Sequence, residues 1–534
     1  MSSTMTIEAI ELQPLPSGPK PASEHSNHET ITPLNMPSDP ISEFQSLSKL
    51  QLTMTILQPS LVNFFGSFTS GIITVGLPII ASSISLQRSL YLWPASVYSL
   101  TCGAALLIAG SVADIIGPRR VEICGMFILG TSILACGFAQ TGIQLVVFRA
   151  FQGLALAMHI PASVSIIANA VPAGRARNVG FSCLGLSQPL GFSFGMVLSG
   201  IMIERIGWRS GFYLCGAGIL VNAVLSWIYL PKMKGEAESL SKHDLTKKLW
   251  TEVDWVGGII AGSGLALLSY VFAMVSADLT TIRSATTASL LAISLVLFIA
   301  FPVWMRYRET HGQSALIPNS LWNLPFSSIC ALVALSYGAM NSMSIFCSLY
   351  FQEVQNHSPL IASLYLLPNL VIGVLINLSM GIFVDRLPAG WTIVVSSLLC
   401  APAPLMMALV DPSWKYYYLE LWAQILSPLG INVLFTVGLI IVSDNFSKET
   451  QALAGAVFST ASQFGTSLGV GVCQVVALGV MGDLSSEGAT SGNASDMLRG
   501  YRASFWAMFA SMVLCILISI VGLRRTGKVG LKKD

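Results

Sequence analysis

Fourteen apolar segments dominate this chain, each near the roughly twenty residues that a helix needs to cross hydrocarbon. They cover 59–83, 92–113, 121–140, 143–168, 178–203, 210–231, 255–277, 285–305, 326–351, 359–384, 391–410, 416–442, 450–480 and 502–524. A backbone placed in lipid must satisfy its own hydrogen bonds, so the segments predict a bundle of spanning helices. Composition agrees: 10% of the 534 residues are charged, against roughly 25% in a soluble domain. With 53% hydrophobic residues and a net charge of +2, the chain is excluded as a soluble globular enzyme, a nucleic-acid binder or a disordered scaffold. The ten cysteines fall within apolar segments and show no CxxC spacing, so they read as small buried thiols rather than a disulfide framework.

Residues 1–50 are polar and rich in Ser, Pro and Glu. They lack both the apolar content of a folded unit and the basic-then-apolar pattern of a signal peptide, and are expected to be a disordered cytoplasmic tail. Alternating the spans from a cytoplasmic N-terminus puts Arg119/Arg120, Arg175/Arg177, Lys247/Lys248, Arg306/Arg308, Arg524/Arg525 and Lys532/Lys533 on the inner side. The outer loops then hold only single basic residues or short pairs: Arg88, Arg205, Arg209, Arg283, Lys415, Arg499 and Arg502. Both termini are therefore expected in the cytoplasm, with 526–534 as a second tail. The sequon at Asn493 falls in the outer loop 481–501, the correct side for glycosylation.

The chain also repeats itself. The second segment ends Gly110-Ser-Val-Ala-Asp114-Ile-Ile-Gly117-Pro118-Arg119-Arg120, and the tenth ends Gly381-Ile-Phe-Val-Asp385-Arg386-Leu-Pro388. Internal repeats of this kind mark transporters. The repeat divides the chain into a six-helix half (51–231), a loop with two extra helices (232–310) and a second six-helix half (311–525). Gly110 permits close helix approach. Asp114 lies at the end of its helix where the dipole disfavours an anion, which calls for a basic partner or another helix N-terminus. Gly110, Asp114, Gly117, Arg119, Arg120, Asp385 and Arg386 are thus candidates for a conformational latch that breaks as the halves rock. A static turn anchored by positive charge is the plainer alternative.

Arg149 is the sharpest single residue, because an arginine inside a span is expensive and is a functional-site hypothesis by default. A structural hydrogen-bonder to backbone carbonyls is its plain reading. Gln152 and His159 are seven residues apart and share a helix stripe, with Arg149 about 60° away. His159 is the only histidine in any apolar segment; it reads either as a satisfied packing residue or as a proton carrier. The acids lie almost entirely at segment ends or in loops. Glu420 alone stands about a turn inside, with Gln424 at i+4 on its face. In the fifth segment, Gly185, Pro189, Gly191, Gly195 and Gly200 place small residues at helical spacing, as close packing requires.

Gly110-x-x-x-Asp114-x-x-Gly117-x-Arg119-Arg120, preceded by Trp93-Pro-Ala-Ser-Val-Tyr98 and followed by Arg149-x-x-Gln152-Gly153, resembles the two signatures of the major facilitator superfamily. With fourteen spans, the chain is similar to that superfamily's drug–proton antiporters, and particularly to the fungal aminotriazole-resistance-like branch. Tyr350-Phe-Gln352, Ser358-Pro359 and Ser443-Asp444 are further matches, and the resemblance covers about residues 55–525. It implies an all-α membrane protein of the major facilitator fold, two six-helix halves plus two extra linker helices. It also implies a cavity lined by the first helix of each three-helix repeat, with Asn63, Ser67, Gln152, His159, Tyr337, Asn341, Gln424 and Asn432 as its polar groups. The arginine matching Arg149 lies beside that cavity in the family and is implicated in proton transfer. Two departures stand out. Gln188 occupies a position where the antiporter signature usually has Gly, which leaves it free to face substrate, and the first span carries no acid.

The neutral cavity set suits an amphipathic or weakly charged organic molecule better than a polyanion, which calls for several Arg or Lys. The expected function is a secondary active transporter, proton-coupled and exporting a drug-like or secondary-metabolite molecule by alternating access. A uniporter, importer or exporter of a small polar solute is the alternative. Arg149, Gln152, His159 and Glu420 are the candidates for proton coupling. No HExxH, paired His/Asp metal set or P-loop is found, so neither an enzyme nor an ATP-driven pump is expected, and no cofactor or metal. The expected partners are substrate, protons and the bilayer. A monomer in the cell membrane is expected, with the vacuolar membrane as the alternative location.

Overall fold

The computed structural model describes residues 48–523 apart from 173, 232–240, 278, 314, 384–387, 447 and 482–493. Within them are fourteen helices long and apolar enough to cross a membrane. Spans 1 to 6 are Lys49–Ser83, Trp93–Ile116, Pro118–Phe138, Gly142–Ala170, Arg175–Arg205 and Arg209–Tyr229. Spans 7 and 8 are Trp255–Phe272 and Ala285–Thr310. Spans 9 to 14 are Leu324–Val354, Pro359–Met380, Ala389–Leu409, Glu420–Val442, Leu453–Met481 and Ala494–Gly522. Two of the expected latch residues, Asp385 and Arg386, lie outside the described residues, as does the sequon asparagine Asn493.

Helix starts are encoded locally. Ser48 and Gln51 cap span 1 reciprocally, each side chain accepting the other's backbone N–H at 3.2 Å. Thr141 caps span 4 and Asn323 caps span 9 by accepting from Gln144 N and Phe326 N. Between spans 2 and 3, Gly117 holds φ at 102° and Pro118 opens the next helix, so the chain reverses without a loop. Spans 11 and 12 are each interrupted, at Pro402 and Pro428, where the missing N–H breaks the ladder. Span 9 ends in a π-turn over Tyr350–Val354, which re-aims the side chains that follow.

Spans 1–6 pack together, and so do spans 9–14. The internal repeat is visible in how glycines seat the helices. A Cβ on Gly191 would lie 2.1 Å from the Phe64 carbonyl oxygen, and one on Gly195 would lie 2.3 Å from that of Phe68. In the other half, a Cβ on Gly465 would meet the Ala334 oxygen at 2.1 Å, and one on Gly469 would meet Gly338 Cα at 2.4 Å. Span 5 therefore lies directly on the backbone of span 1, and span 13 on that of span 9.

The halves meet along two seams, span 2 with span 13 and span 5 with span 10. Span 7 covers the first, with Gly258 against Ile108 of span 2 and Phe272 against Gly471 of span 13. The buried carboxylate of Asp254 fixes its start: Oδ1 accepts from Gly257 N at 2.9 Å and from Trp304 Nε1 of span 8 at 3.0 Å. Its Oδ2 accepts from Leu316 N, ahead of span 9, at 3.4 Å. Span 8 docks on span 7 through Ser294 Oγ, which donates to the Gly264 oxygen at 2.7 Å, and turns Ile293, Val296, Ile299 and Val303 outward.

Candidate functional site

Span 4 runs through the N-terminal half with Arg149 1% exposed. Its Nε donates to the Pro94 oxygen at 2.8 Å. One terminal nitrogen donates to Gln152 Oε1 at 2.8 Å and to Thr69 Oγ1 at 3.4 Å. The guanidinium also lies 4.3 Å from the centre of the Tyr98 ring. A single cation thus joins spans 1, 2 and 4, and no carboxylate pairs with it among the described residues. Gln152 extends the junction to span 3, donating to Cys136 Sγ at 2.9 Å and to the Ser132 oxygen at 3.3 Å.

His159 lies further along the same helix, and the structure gives it a partner that the sequence reading left among the segment-end acids. Glu122 of span 3 turns inward, with its Oε1 2.8 Å from His159 Nδ1 and both side chains 1% exposed. Glu122 Oε2 and His159 Nε2 have no hydrogen-bond partner among the described residues. Gly125, one turn on from Glu122, lets span 4 close in: a Cβ there would stand 3.1 Å from Met158 and 3.3 Å from the Ala155 oxygen. The Glu122-x-x-Gly125 spacing is the signal that would have pointed to a buried acid facing span 4.

Glu420 differs from its expected place. It is the first residue of its helix rather than a turn inside, and neighbouring side chains bury it. Oε1 accepts from Tyr350 OH at 3.1 Å and from Gln355 Nε2 at 2.7 Å, while Oε2 has no partner among the described residues. Gln424, on the same face, donates to Cys347 Sγ at 3.4 Å. The remaining polar candidates make neutral contacts. Asn63 donates to the Leu184 oxygen, Asn341 to the Tyr337 oxygen and Thr466 Oγ1, and Asn377 to Asn432 Oδ1. Ser67 and Tyr337 are half-buried, and Gln188 is exposed.

An ion pair that links the halves was not anticipated. Arg88, in the loop before span 2, grips Glu353 at the end of span 9 with both terminal nitrogens, at 2.9 and 2.5 Å. Tyr91 OH donates to Glu353 Oε1 at 3.0 Å, and Tyr501 OH of span 14 donates to Oε2. At the same end Gln352 donates to the Val75 oxygen at 2.9 Å, and Glu204 of span 5 accepts from Leu360 N at 3.3 Å. Burial works against the Arg88 charge, but Tyr501 and Glu353 outweigh it and hold the guanidinium above its ordinary value. The expected latch at the Gly117 end takes a different form. Asp114 is exposed and makes no ion pair among the described residues, whereas Arg119 donates to the Leu230 and Trp227 oxygens at 3.0 and 2.7 Å, tying span 3 to the end of span 6. Arg120 is exposed, and Gly110 lies against Pro161 of span 4.

This architecture matches known proteins. The family model described as Major Facilitator Superfamily matches residues 60–470. The chain belongs to the major facilitator superfamily. It is 36% identical to MFS-type transporter 1 of Pyricularia oryzae, over 99% of this chain and 94% of that protein. The aminotriazole resistance protein of Saccharomyces cerevisiae is 24% identical over 83% of this chain and 78% of its own length. Among solved structures, a bacterial homolog of the human lysosomal transporter Spinster, inward-facing and occupied, superposes with a TM-score of 0.60. That likeness covers 89% of this chain and 98% of the other at 15% identity, and shows the shared fold. This major facilitator is therefore a membrane-embedded transporter with a small molecule as cargo, not an enzyme.

Proposed function

We propose that this major facilitator exports an amphipathic or weakly charged organic molecule in exchange for protons, by alternating access between halves 51–231 and 311–525. The observation that carries the reading is Arg149, a buried cation with no carboxylate partner among the described residues, where spans 1, 2 and 4 meet. A charge kept in a membrane interior without a counter-ion is expensive, and such residues mark substrate or proton pathways. The polar groups assigned to the cavity, Asn63, Ser67, Gln188, Tyr337, Asn341, Gln424 and Asn432, are all neutral, which favours a cargo of low charge. Similarity to a protein named for aminotriazole resistance supports outward transport. In this reading the Gly117 end faces the cytoplasm, the Arg88 end faces outward, and Asn493 is open to glycosylation. The protein works as a monomer in the plasma membrane. The same neutral lining also fits facilitated movement of a small polar solute, which is the second reading.

The deciding experiment measures accumulation of labelled aminotriazole, amphipathic drugs and small polar solutes in cells expressing the chain, with and without a proton uncoupler. Proton-coupled export predicts lowered accumulation of at least one compound, abolished by the uncoupler and by Arg149→Ala. Flux indifferent to the uncoupler rejects proton exchange and leaves facilitated transport.

A further inference from the structure

We propose that Glu122 and His159 together form the site that holds the exchanged proton, an inference that rests on the proton-exchange reading above. The pair is two titratable groups on adjacent helices, 2.8 Å apart and shut away from solvent. Its protonation has only two economical states. An ionised Glu122 beside a neutral imidazole carries net charge −1. One added proton makes the pair neutral, on whichever side of the Nδ1–Oε1 contact it resides. Only an N–H or O–H bond forms on loading and breaks on release, so a proton taken from water on one side is returned to water on the other.

The unloaded anion requires water or positive potential. Positive potential is near, because Glu122 stands just beyond the first turn of span 3, at the positive end of that helix dipole and close in sequence to Arg119 and Arg120. The two unpartnered atoms, Glu122 Oε2 and His159 Nε2, are the second observation. Buried polar groups in a purely structural pair are normally all satisfied; here one acceptor position and one ring nitrogen are left for an arriving water or proton.

Other titratable or charged groups stand on the helices packed against the pair. Span 2 brings Tyr98, Cys102 and, exposed at its end, Asp114; span 4 brings Arg149, about 15 Å along the helix. Span 6 brings Arg209, Tyr213, Cys215 and Tyr229, and spans 1 and 5 bring Lys49, Arg175, Arg177, Cys183, Glu204 and Arg205. None hydrogen-bonds to Glu122 or His159. Glu420 does not offer the same chemistry, since two donors already fix its Oε1 and no second base pairs with it among the described residues.

The test uses the purified full-length chain and the double variant Glu122→Gln/His159→Asn, which keeps shape and hydrogen bonding but cannot titrate. Infrared difference spectra between acid and alkaline buffer are expected to show a buried carboxyl band that the double variant and Glu122→Gln both lack. In proteoliposomes, with the compound that shows uncoupler-sensitive export in cells as the probe, the double variant is expected to lose pH-driven transport. It should still show measurable probe counterflow, which an unfolded protein does not. Glu122→Asp, which still titrates, is expected to retain driven transport. An unchanged spectrum, or driven transport surviving in the double variant, overturns this site and leaves proton exchange standing. Wild-type flux indifferent to the uncoupler overturns the proton-exchange reading and this site with it.

Discussion

Arg88 and Glu353 stand in different halves of the transporter and meet in a two-pronged ion pair, Nη1 to Oε1 at 2.9 Å and Nη2 to Oε2 at 2.5 Å. The pair is partly solvent-accessible, with the arginine side chain 30% exposed, so screening limits its worth to about 1–2 kcal/mol. That is still roughly a tenfold bias on a two-state equilibrium. Arg88→Ala and Glu353→Gln are each expected to raise the population open at this end. Spin labels at Ser82 and Ser358 would report it as a longer distance component. The exchange Arg88→Glu/Glu353→Arg should restore the short distance; identical distributions in all variants would show that the pair does not hold the ends together.

Arg149 tests structure and mechanism together. Arg149→Ala leaves the Pro94 oxygen and Gln152 without their donor and is expected to destabilise the protein by about 3 kcal/mol or more. Arg149→Lys keeps the charge without the planar fork, and should recover part of the thermal midpoint while driven transport stays lost. Full transport in the lysine variant would remove the fork geometry from the mechanism.

The glycine seats predict a sharp contrast. Gly195→Leu and Gly469→Leu force spans apart where backbones touch, and both are expected to abolish folded, monodisperse protein in size-exclusion chromatography. Gly185→Ala meets nothing within 4 Å and should be neutral or slightly stabilising, by a few tenths of a kcal/mol up to about 1 kcal/mol. A normal elution profile for Gly469→Leu would contradict the packing of span 13 on span 9.

Asp254 has a structural assignment. Its buried carboxylate accepts from three donors that pin spans 7 and 8 and the approach to span 9. Asp254→Ala is expected to lower stability by about 2–4 kcal/mol, read as a lower thermal midpoint and easier proteolysis between spans 6 and 9. Counterflow of a transported probe should persist, because the substitution lies outside the two halves.

Much of the architecture was legible because lipid imposes one simple demand, an apolar helix about thirty ångströms long. That demand showed directly in the segment lengths, and the repeat at Asp114 and Asp385 divided them into halves. Breaks within spans 11 and 12 were also present as Pro402 and Pro428, although hydropathy alone reads across them. The candidate site was legible only in part. Arg149, Gln152 and His159 stood out because polar groups are rare in such segments. Glu122 did not, because its place near a helix start resembles that of any interfacial acid, and only the inward turn of span 3 against span 4 buries it. Glu420 shows the same limit from the other side: a helix-start acid that neighbouring residues enclose.

By itself, then, the sequence determined the solvent this chain folds in, the number and order of its helices and the residues too polar to be there by chance. These depend on local composition and on a helix satisfying its own backbone. Tertiary structure alone decided the partners: Glu122 for His159, Pro94 and Tyr98 for Arg149, and Glu353 for Arg88 across some 265 residues of chain. Such pairings depend on which helix faces meet. In a bundle whose spans are all apolar, those faces are set by glycine seats and helix breaks summed over the whole fold, and no single segment records the result.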